Sequence, residues 1–449
     1  QIKGFFVPVA LFVYTCLSYL VLPFGVAFHL LFVWRRAEFR RGFWQRYGWL
    51  PQKQHHPVLV HASSVGELNA IAPLITAIIS DLKLPVLVTT TSVTGQTRCQ
   101  QLFSDNERVS CGYLPVDIGL ANWLMLRRVK PRAVLLVETE LWPNLIATCA
   151  AKKIPTLLVN GRMSARSAKA YVRWPWLVGP MLQKLTHLLV QDQTTAQRFL
   201  ELGAQTASVS VLGSLKYDLV IEDSELNNLG ALVNYSVPSG LCWVCGSTRS
   251  GEEVSLLRAW AQLPEPVEGT LVLVPRHPKR FEEVADLCQQ SGLPWLKYSQ
   301  LKSQLNQANG IETDVDVDTY NAHPRRVLLI DTMGLLMHFY HRADVVFVGG
   351  SLADTGGHNP LEAAALGKPV LMGPNCFNFT QVCDQLEQVH ALRVTTKASL
   401  LADITELLTN PLLRSSMGAA GAALVKKERG ALKRHLSILE ETLEQALNQ

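Results

Sequence analysis

The longest apolar run comes first in the chain. Residues Gly4 to Trp34 contain no Lys, Arg, Asp or Glu, and 31 such residues exceed the roughly 20 that a helix needs to cross a bilayer core. Pro8 and Pro23 divide the run. It therefore predicts either a span from Phe5 to Leu22 with an interfacial continuation, or a hydrophobic helix lying more shallowly. Beyond it, short Val- and Leu-rich runs alternate with helical stretches: Val58 to Val60, Val86 to Thr90, Ala133 to Val137, Thr156 to Val159 and Leu188 to Val190. Continuous apolar runs of this length predict strands covered on both faces by helices. After a polar linker, Glu222 to Gly240, the pattern restarts with Trp243 to Cys245, Thr270 to Val274, Val327 to Ile330, Asp344 to Val348 and Pro369 to Met372. Two βαβ series predict an α/β protein of two doubly wound domains. The boundaries read as 1–50 for an anchor and basic segment, 51–230 for a first domain and 231–449 for a second. Ligands of such sheets bind beyond the carboxyl ends of the strands, and two facing sheets make a cleft. Leu301 to His323, with its acidic alternation Glu312 to Asp318, reads as a surface hairpin or mobile loop, and Pro411 to Gln449 as packing helices.

Charge alters the picture at one end only. Residues 1–50 hold Lys3, Arg35, Arg36, Arg40, Arg41 and Arg46 against Glu38, a balance of +5 that equals the net charge of the whole chain. The other 399 residues balance, so the basic excess is a collar at lipid headgroups, attractive to anionic lipid, rather than a nucleic-acid surface. The arginines follow the apolar run and only Lys3 precedes it, which by the positive-inside rule places the rest of the chain in the cytoplasm. A secretory signal peptide has the opposite charge order and a shorter apolar core. Nine scattered cysteines on the cytoplasmic side read as reduced thiols. Cys242 and Cys245 fall in a strand, where residues three apart point to opposite faces, so zinc or disulfide use is not expected there.

Candidate chemistry stands at the strand ends. The first strand runs into His61-Ala62-Ser63-Ser64-Val65-Gly66-Glu67. Ser64 and Glu67 fit a capping box, and Glu67 equally fits a general base at a strand mouth. Glu138 and Glu140 follow Val137, facing a crevice or complementing a helix N-terminus. Arg162, in Asn160-Gly161-Arg162-Met163-Ser164, suits an anionic ligand. In the second series Gly246-Ser247-Thr248-Arg249-Ser250-Gly251-Glu252-Glu253 is a strand feeding a turn and a helix, a place that suits phosphate. Arg276, His277, Lys279 and Arg280 cluster at the next strand mouth. Gly356-Gly357-His358-Asn359-Pro360-Leu361-Glu362 combines an anion nest with helix-capping residues. No Asp-x-Asp pair or His/Cys cluster at a strand mouth offers a metal site.

The ordered strings HASSVGE, VETELWPN, GRMSARS, GSLKYD, GSTRSGEE, PRHPKR, DTMG and GGHNPLE, behind an N-terminal anchor, resemble those of the bacterial lipid A Kdo transferases over nearly all of residues 5–449. The resemblance implies a GT-B fold and an inverting transfer of 3-deoxy-D-manno-octulosonate (Kdo) from CMP-Kdo to the lipid A precursor, lipid IVA, without cofactor or metal. It implies that Glu67 is the general base, that the first domain takes the lipid acceptor and that the second holds the donor. Carried across position by position, Ser247, Thr248, Arg249, Arg276, His277, Lys279, Gly357, His358, Asn359 and Glu362 are expected at the donor, Ser247 and Thr248 as helix N-terminal donors to the nucleotide. Ser64, Gly66, Glu138, Glu140, Arg162 and Lys216 are expected at the acceptor or in the cleft. The implied location is the cytoplasmic face of the bacterial inner membrane, with membrane lipid as a partner and no nucleic acid. The chain departs from the pattern at Leu335, where Glu is expected, at Arg249, where His is usual, and at Asn375-Cys376. Another GT-B enzyme using a UDP or ADP sugar, or a membrane-tethered binding protein with Glu67 only a cap, are the alternatives.

Overall fold

The structure, a computed structural model, describes residues 3–35, 40, 42–50, 55–218, 230–237, 240–306 and 317–447. Arg36, Glu38 and Arg41 of the basic segment, positions 222–229 and 238–239 of the linker, and 312–316 of the acidic alternation lie outside the described residues. The chain divides into two compact units, 1–218 with 428–449, and 219–427.

The first unit begins with helix α1 (Lys3–Arg35) and continues β1 (Val58–His61), α2 (Val65–Ser80), β2 (Val86–Thr90), α3 (Val93–Phe103), β3 (Val109–Tyr113) and α4 (Gly119–Val129). Then follow β4 (Ala133–Val137), α5 (Pro143–Ala151), β5 (Thr156–Gly161), α6 (Ala165–Tyr171), α7 (Pro175–Leu182), β6 (His187–Val190), α8 (Gln193–Glu201) and β7 (Val209–Val211). Its sheet runs β3-β2-β1-β4-β5-β6-β7, and every pairing is parallel. The second sheet comprises β8 (Leu241–Thr248), β9 (Gly269–Pro275), β10 (Trp295–Lys297), β11 (Arg325–Leu329), β12 (Val345–Val348), β13 (Val370–Met372) and β14 (Leu392–Val394), in the order β10-β11-β9-β8-β12-β13-β14, again all parallel. Parallel strands need helical crossovers, so both faces are covered, and the central strands are buried from end to end. Strand order reverses between β1 and β4 in one sheet and between β8 and β12 in the other. The carboxyl ends at these switch points, around His61 and Glu138 and around Thr248 and Gly349, are where such sheets bind ligands.

Four sequence expectations change. α1 is one continuous helix through Pro8 and Pro23, because each proline removes a single backbone bond while the turns on either side stay bonded. It holds a stretch, Leu11–Leu31, long and apolar enough to cross a membrane. The final helix, Ala431–Leu447, belongs to the first unit rather than the second. Ala431, Leu439 and Leu443 fill the same core as Leu68 and Ile71 of α2, and the Asp218 carboxylate accepts from the backbone N–H groups of Gly430 and Leu432. Cys99 and Cys111 form a disulfide, since α3 and β3 bring their Cα atoms to 6.3 Å, and the other seven cysteines are free. Both ends of the segment read as a hairpin or loop are helical, Tyr298–Asn306 and Val317–Ala322.

Candidate active site

In the first unit α2 starts directly after β1, and its cap is built as the S-x-x-E spacing demands. Ser64 Oγ accepts from Glu67 N–H at 3.2 Å and donates to Glu67 Oε1 at 2.9 Å, while Ser63 N–H donates to Glu67 Oε2 at 2.8 Å. Those bonds favour the ionised carboxylate, yet Glu67 is pushed up to about 7. Burial is the main cause, and the negative charges of Glu140 and, less, Glu138 add to it. Glu140 goes the other way. Burial would raise it, but hydrogen bonds from His61, Ser63 and Trp142 outweigh that and hold it below its ordinary value. His61, wholly buried at the end of β1, donates from Nδ1 to the Thr89 carbonyl at 3.0 Å and turns Nε2 to Glu140 at 3.4 Å. Trp142 Nε1 donates to Glu140 at 2.8 Å.

Two neighbouring carboxylates with opposite shifts divide the work: Glu140 stays charged, and Glu67 is poised to take a proton near neutrality.

Glu138 has a different part. It sits in the left-handed region at φ +58°, buried, with Arg162 Nε at 2.9 Å and Lys216 Nζ at 3.5 Å from its carboxylate. It anchors both cations at the strand mouth, so Lys216 is in the first unit's site. Gly66 is exposed on α2, where a Cβ would stand in ordinary contact with Ser64 Oγ at 3.8 Å. Asp117, half-buried, accepts from the backbone N–H groups of Asn144 and Leu145 and so caps α5, the helix that follows Glu140 and Trp142.

In the second unit the expected donor residues gather at the ends of β8, β9 and β12. Arg249 places Nε 3.3 Å from His358 Nε2 and Nη1 2.5 Å from His277 Nε2. His358 is lowered to about 4 by burial first, then by the charges of Arg249, Arg276 and His277. His277 and Arg249 are lowered too, by burial and then by their cationic neighbours. Groups that suppress one another's positive charge make a site that gains most from an anion. Lys279 is exposed in the turn Pro278–Arg280, whereas Arg280 is committed to Glu253 and Glu283. Glu362, raised by burial, receives a 3.5 Å bond from Asn359 Nδ2, and Asn359 Oδ1 accepts from Leu361 N–H.

Two expectations are corrected here. Ser247 and Thr248 are not helix N-terminal donors: both belong to β8, Ser247 at φ +57° and Thr248 buried with Oγ1 unpaired, and the helix begins at Glu253. Nor is the Gly357 N–H free for a ligand, because it donates to the Gly350 carbonyl at 2.7 Å.

Glu252 has no role in the sequence reading. Fully buried, its carboxylate accepts from the backbone N–H groups of Arg249, Gly350, Ser351, Leu352 and Ala353 at 2.8 to 3.2 Å. It fills the backbone nest after β12 and ties that loop to the end of β8. Leu335, where a carboxylate is expected, is buried ahead of the helix Leu336–Arg342. Among the described residues no group of three or more His, Cys, Asp or Glu is arranged to hold a metal.

Two parallel α/β units, each with its candidate residues at the switch point of its sheet, define a glycosyltransferase of the GT-B class. Residues 41–219 match the family described as 3-deoxy-D-manno-octulosonic-acid transferase (kdotransferase), and residues 325–423 match glycosyl transferases group 1. The chain is 33% identical over 440 residues to the 3-deoxy-D-manno-octulosonic acid transferase of Haemophilus influenzae, covering 96% of this chain and 99% of that one. With the enzyme of the same name from Bordetella pertussis the identity is 34%, covering 92% and 96%. The crystal structure of Acinetobacter baumannii MurG, 12% identical, covers 86% of this chain and 99% of its own at a TM-score of 0.53, a likeness of fold alone. The chain belongs to the 3-deoxy-D-manno-octulosonic acid transferase family.

Proposed function

We propose that this enzyme transfers Kdo from CMP-Kdo to the lipid A precursor, lipid IVA, in lipopolysaccharide biosynthesis at the cytoplasmic face of the inner membrane, with inversion at the anomeric carbon and Glu67 as general base. The observation that carries the mechanism is the Glu67 carboxylate, raised to about 7 beside a Glu140 held ionised. An acceptor hydroxyl attacks the anomeric carbon, the bond to CMP breaks with its electrons going to the phosphate, and Glu67 takes the hydroxyl proton. Glu140 then faces a neutral Glu67 rather than a second charge. In the second unit Arg249, Arg276, His277 and His358 are offered to the phosphate and the Kdo carboxylate, where they stabilise charge growing on the leaving group. Arg162 and Lys216, held by Glu138, are offered to the acceptor.

The test is mass spectrometry of the lipid after incubation with CMP-Kdo, tetraacylated precursor and EDTA. Added Kdo masses support the reading, and gain only with a divalent cation overturns the metal-free mechanism. Glu67→Gln is expected to cost roughly 10²- to 10⁴-fold in rate and about 1 kcal/mol or less in stability. Full activity in that variant returns Glu67 to a capping role. No gain with CMP-Kdo, but gain with a UDP or ADP sugar, assigns another donor.

A further inference from the structure

Between Leu11 and His29 α1 is docked along one face. Leu11, Tyr14, Thr15, Ser18, Leu22, Val26 and His29 are partly covered at helical spacing, and the polar members meet fixed partners. Tyr14 donates to the Asp117 carboxylate at 3.1 Å and Thr15 to Asn144 Oδ1 at 2.7 Å. The Tyr19 hydroxyl accepts from Leu120 N–H at 3.1 Å, and His29 Nδ1 lies 3.1 Å from the Tyr47 hydroxyl. From Tyr14 to His29 is about 22 Å of helix at roughly 1.5 Å per residue. A helix flanked over that length by a folded domain cannot also cross a hydrocarbon core of about 30 Å, and the stretch before Tyr14 is too short to do so alone.

The other face of α1 is apolar and open, with Phe12, Leu20, Phe24 and Phe28 each more than 60% exposed. Its surroundings point to what covers it. Among the described residues the exposed tryptophans are Trp44, Trp49, Trp123, Trp174 and Trp176, and all five stand on, or within two residues of, elements that touch α1. Trp174 and Trp176 open α7, which packs on α1. Trp123 is on α4, beside the Tyr19 contact, and Trp44 and Trp49 flank Tyr47. Two carry cations over their rings, Arg128 on Trp49 at 4.2 Å and Arg127 on Trp123 at 5.1 Å. Arg166, Lys169 and Arg173 line a cavity of about 460 Å³ on α6 and the turn into α7. Tryptophan settles at the headgroup level of a bilayer, and basic residues there meet anionic lipid.

We propose that α1 does not span the membrane but lies in its plane, and that with these tryptophans and the α6 cations it forms one docking surface for an anionic leaflet. The inference does not depend on the acceptor or the donor. It is tested on the full chain in a Cys16→Ser background, bound to phosphatidylethanolamine–phosphatidylglycerol vesicles, with nitroxides on Phe12→Cys, Leu20→Cys and Phe28→Cys. An in-plane helix gives all three one shallow depth. A spanning helix separates the first and last by about 24 Å along the bilayer normal, and that result overturns the proposal. Replacing Arg166, Lys169 and Arg173 together by Glu is expected to weaken binding to these vesicles at least about tenfold while leaving binding to phosphatidylcholine vesicles unchanged. Equal affinity for the anionic vesicles overturns the charge complementarity.

Discussion

At the scale of single residues, the pairing of Glu67 with Glu140 makes a pH dependence that can be signed in advance. Glu67 accepts a proton only when ionised, so with its carboxyl at about 7 the rate climbs through neutrality and levels off above it. The same shift means that the folded protein holds this proton more tightly than the unfolded chain. The stability it brings is present below the ordinary carboxylate range and is lost as pH rises through 7. Glu140→Gln removes a neighbouring negative charge and is expected to move the inflection of kcat/KM to lower pH, while an unmoved inflection refutes the coupling. His358, lowered to about 4, is neutral at pH 7. An anion beside it opposes the surrounding cations, so donor binding is expected to take up protons, seen by calorimetry in buffers of different ionisation enthalpy. Ser64 and Glu67 were legible because both accounts of them depend on a local spacing. His61 was not, because its meaning comes from β1 lying beside β4, which puts it next to a glutamate 79 positions away.

Elements show the same division between local and distant causes. The ten apolar runs read as strands are all strands, and the four that were missed, β3, β7, β10 and β14, are the four sheet edges. An edge strand is covered on fewer sides, so its sequence carries no unbroken apolar run: no residue of Val209-Ser210-Val211 in β7 is buried, and in Trp295-Leu296-Lys297 of β10 only Leu296 is. Glu252 was hidden for another reason. Four of its five partners lie about a hundred residues downstream, and a carboxylate ahead of a helix ordinarily reads as part of the cap. Since it satisfies the nest after β12, Glu252→Ala leaves buried N–H groups without an acceptor and is expected to cost about 3 kcal/mol or more. Denaturant unfolding measures that loss, and hydrogen exchange should show it first in residues 350–353.

For the whole molecule, the last helix decides where the first domain ends. The tail was legible as helical, but its allegiance was not, because Ala431, Leu439 and Leu443 would suit the core of either domain. In the structure they pack with α2, and His435 accepts the Asn160 N–H at 3.1 Å with its other nitrogen toward the Ala431 carbonyl. Removal of residues 431–449 is expected to lower hydrogen-exchange protection in β1, α2 and β5 and to leave the second sheet as it was. Equal loss in both sheets would contradict the assignment of the tail to the first unit alone. Asn160 and His435 are 275 residues apart in the chain, and that separation orders events during synthesis. The apolar helix α1 is translated before the second domain, and the second domain is translated whole before the final helix arrives to close the first. A transcript cut short within the second domain therefore yields a protein that already carries the helix proposed to dock on lipid, yet lacks the wedge that completes the core of its first unit.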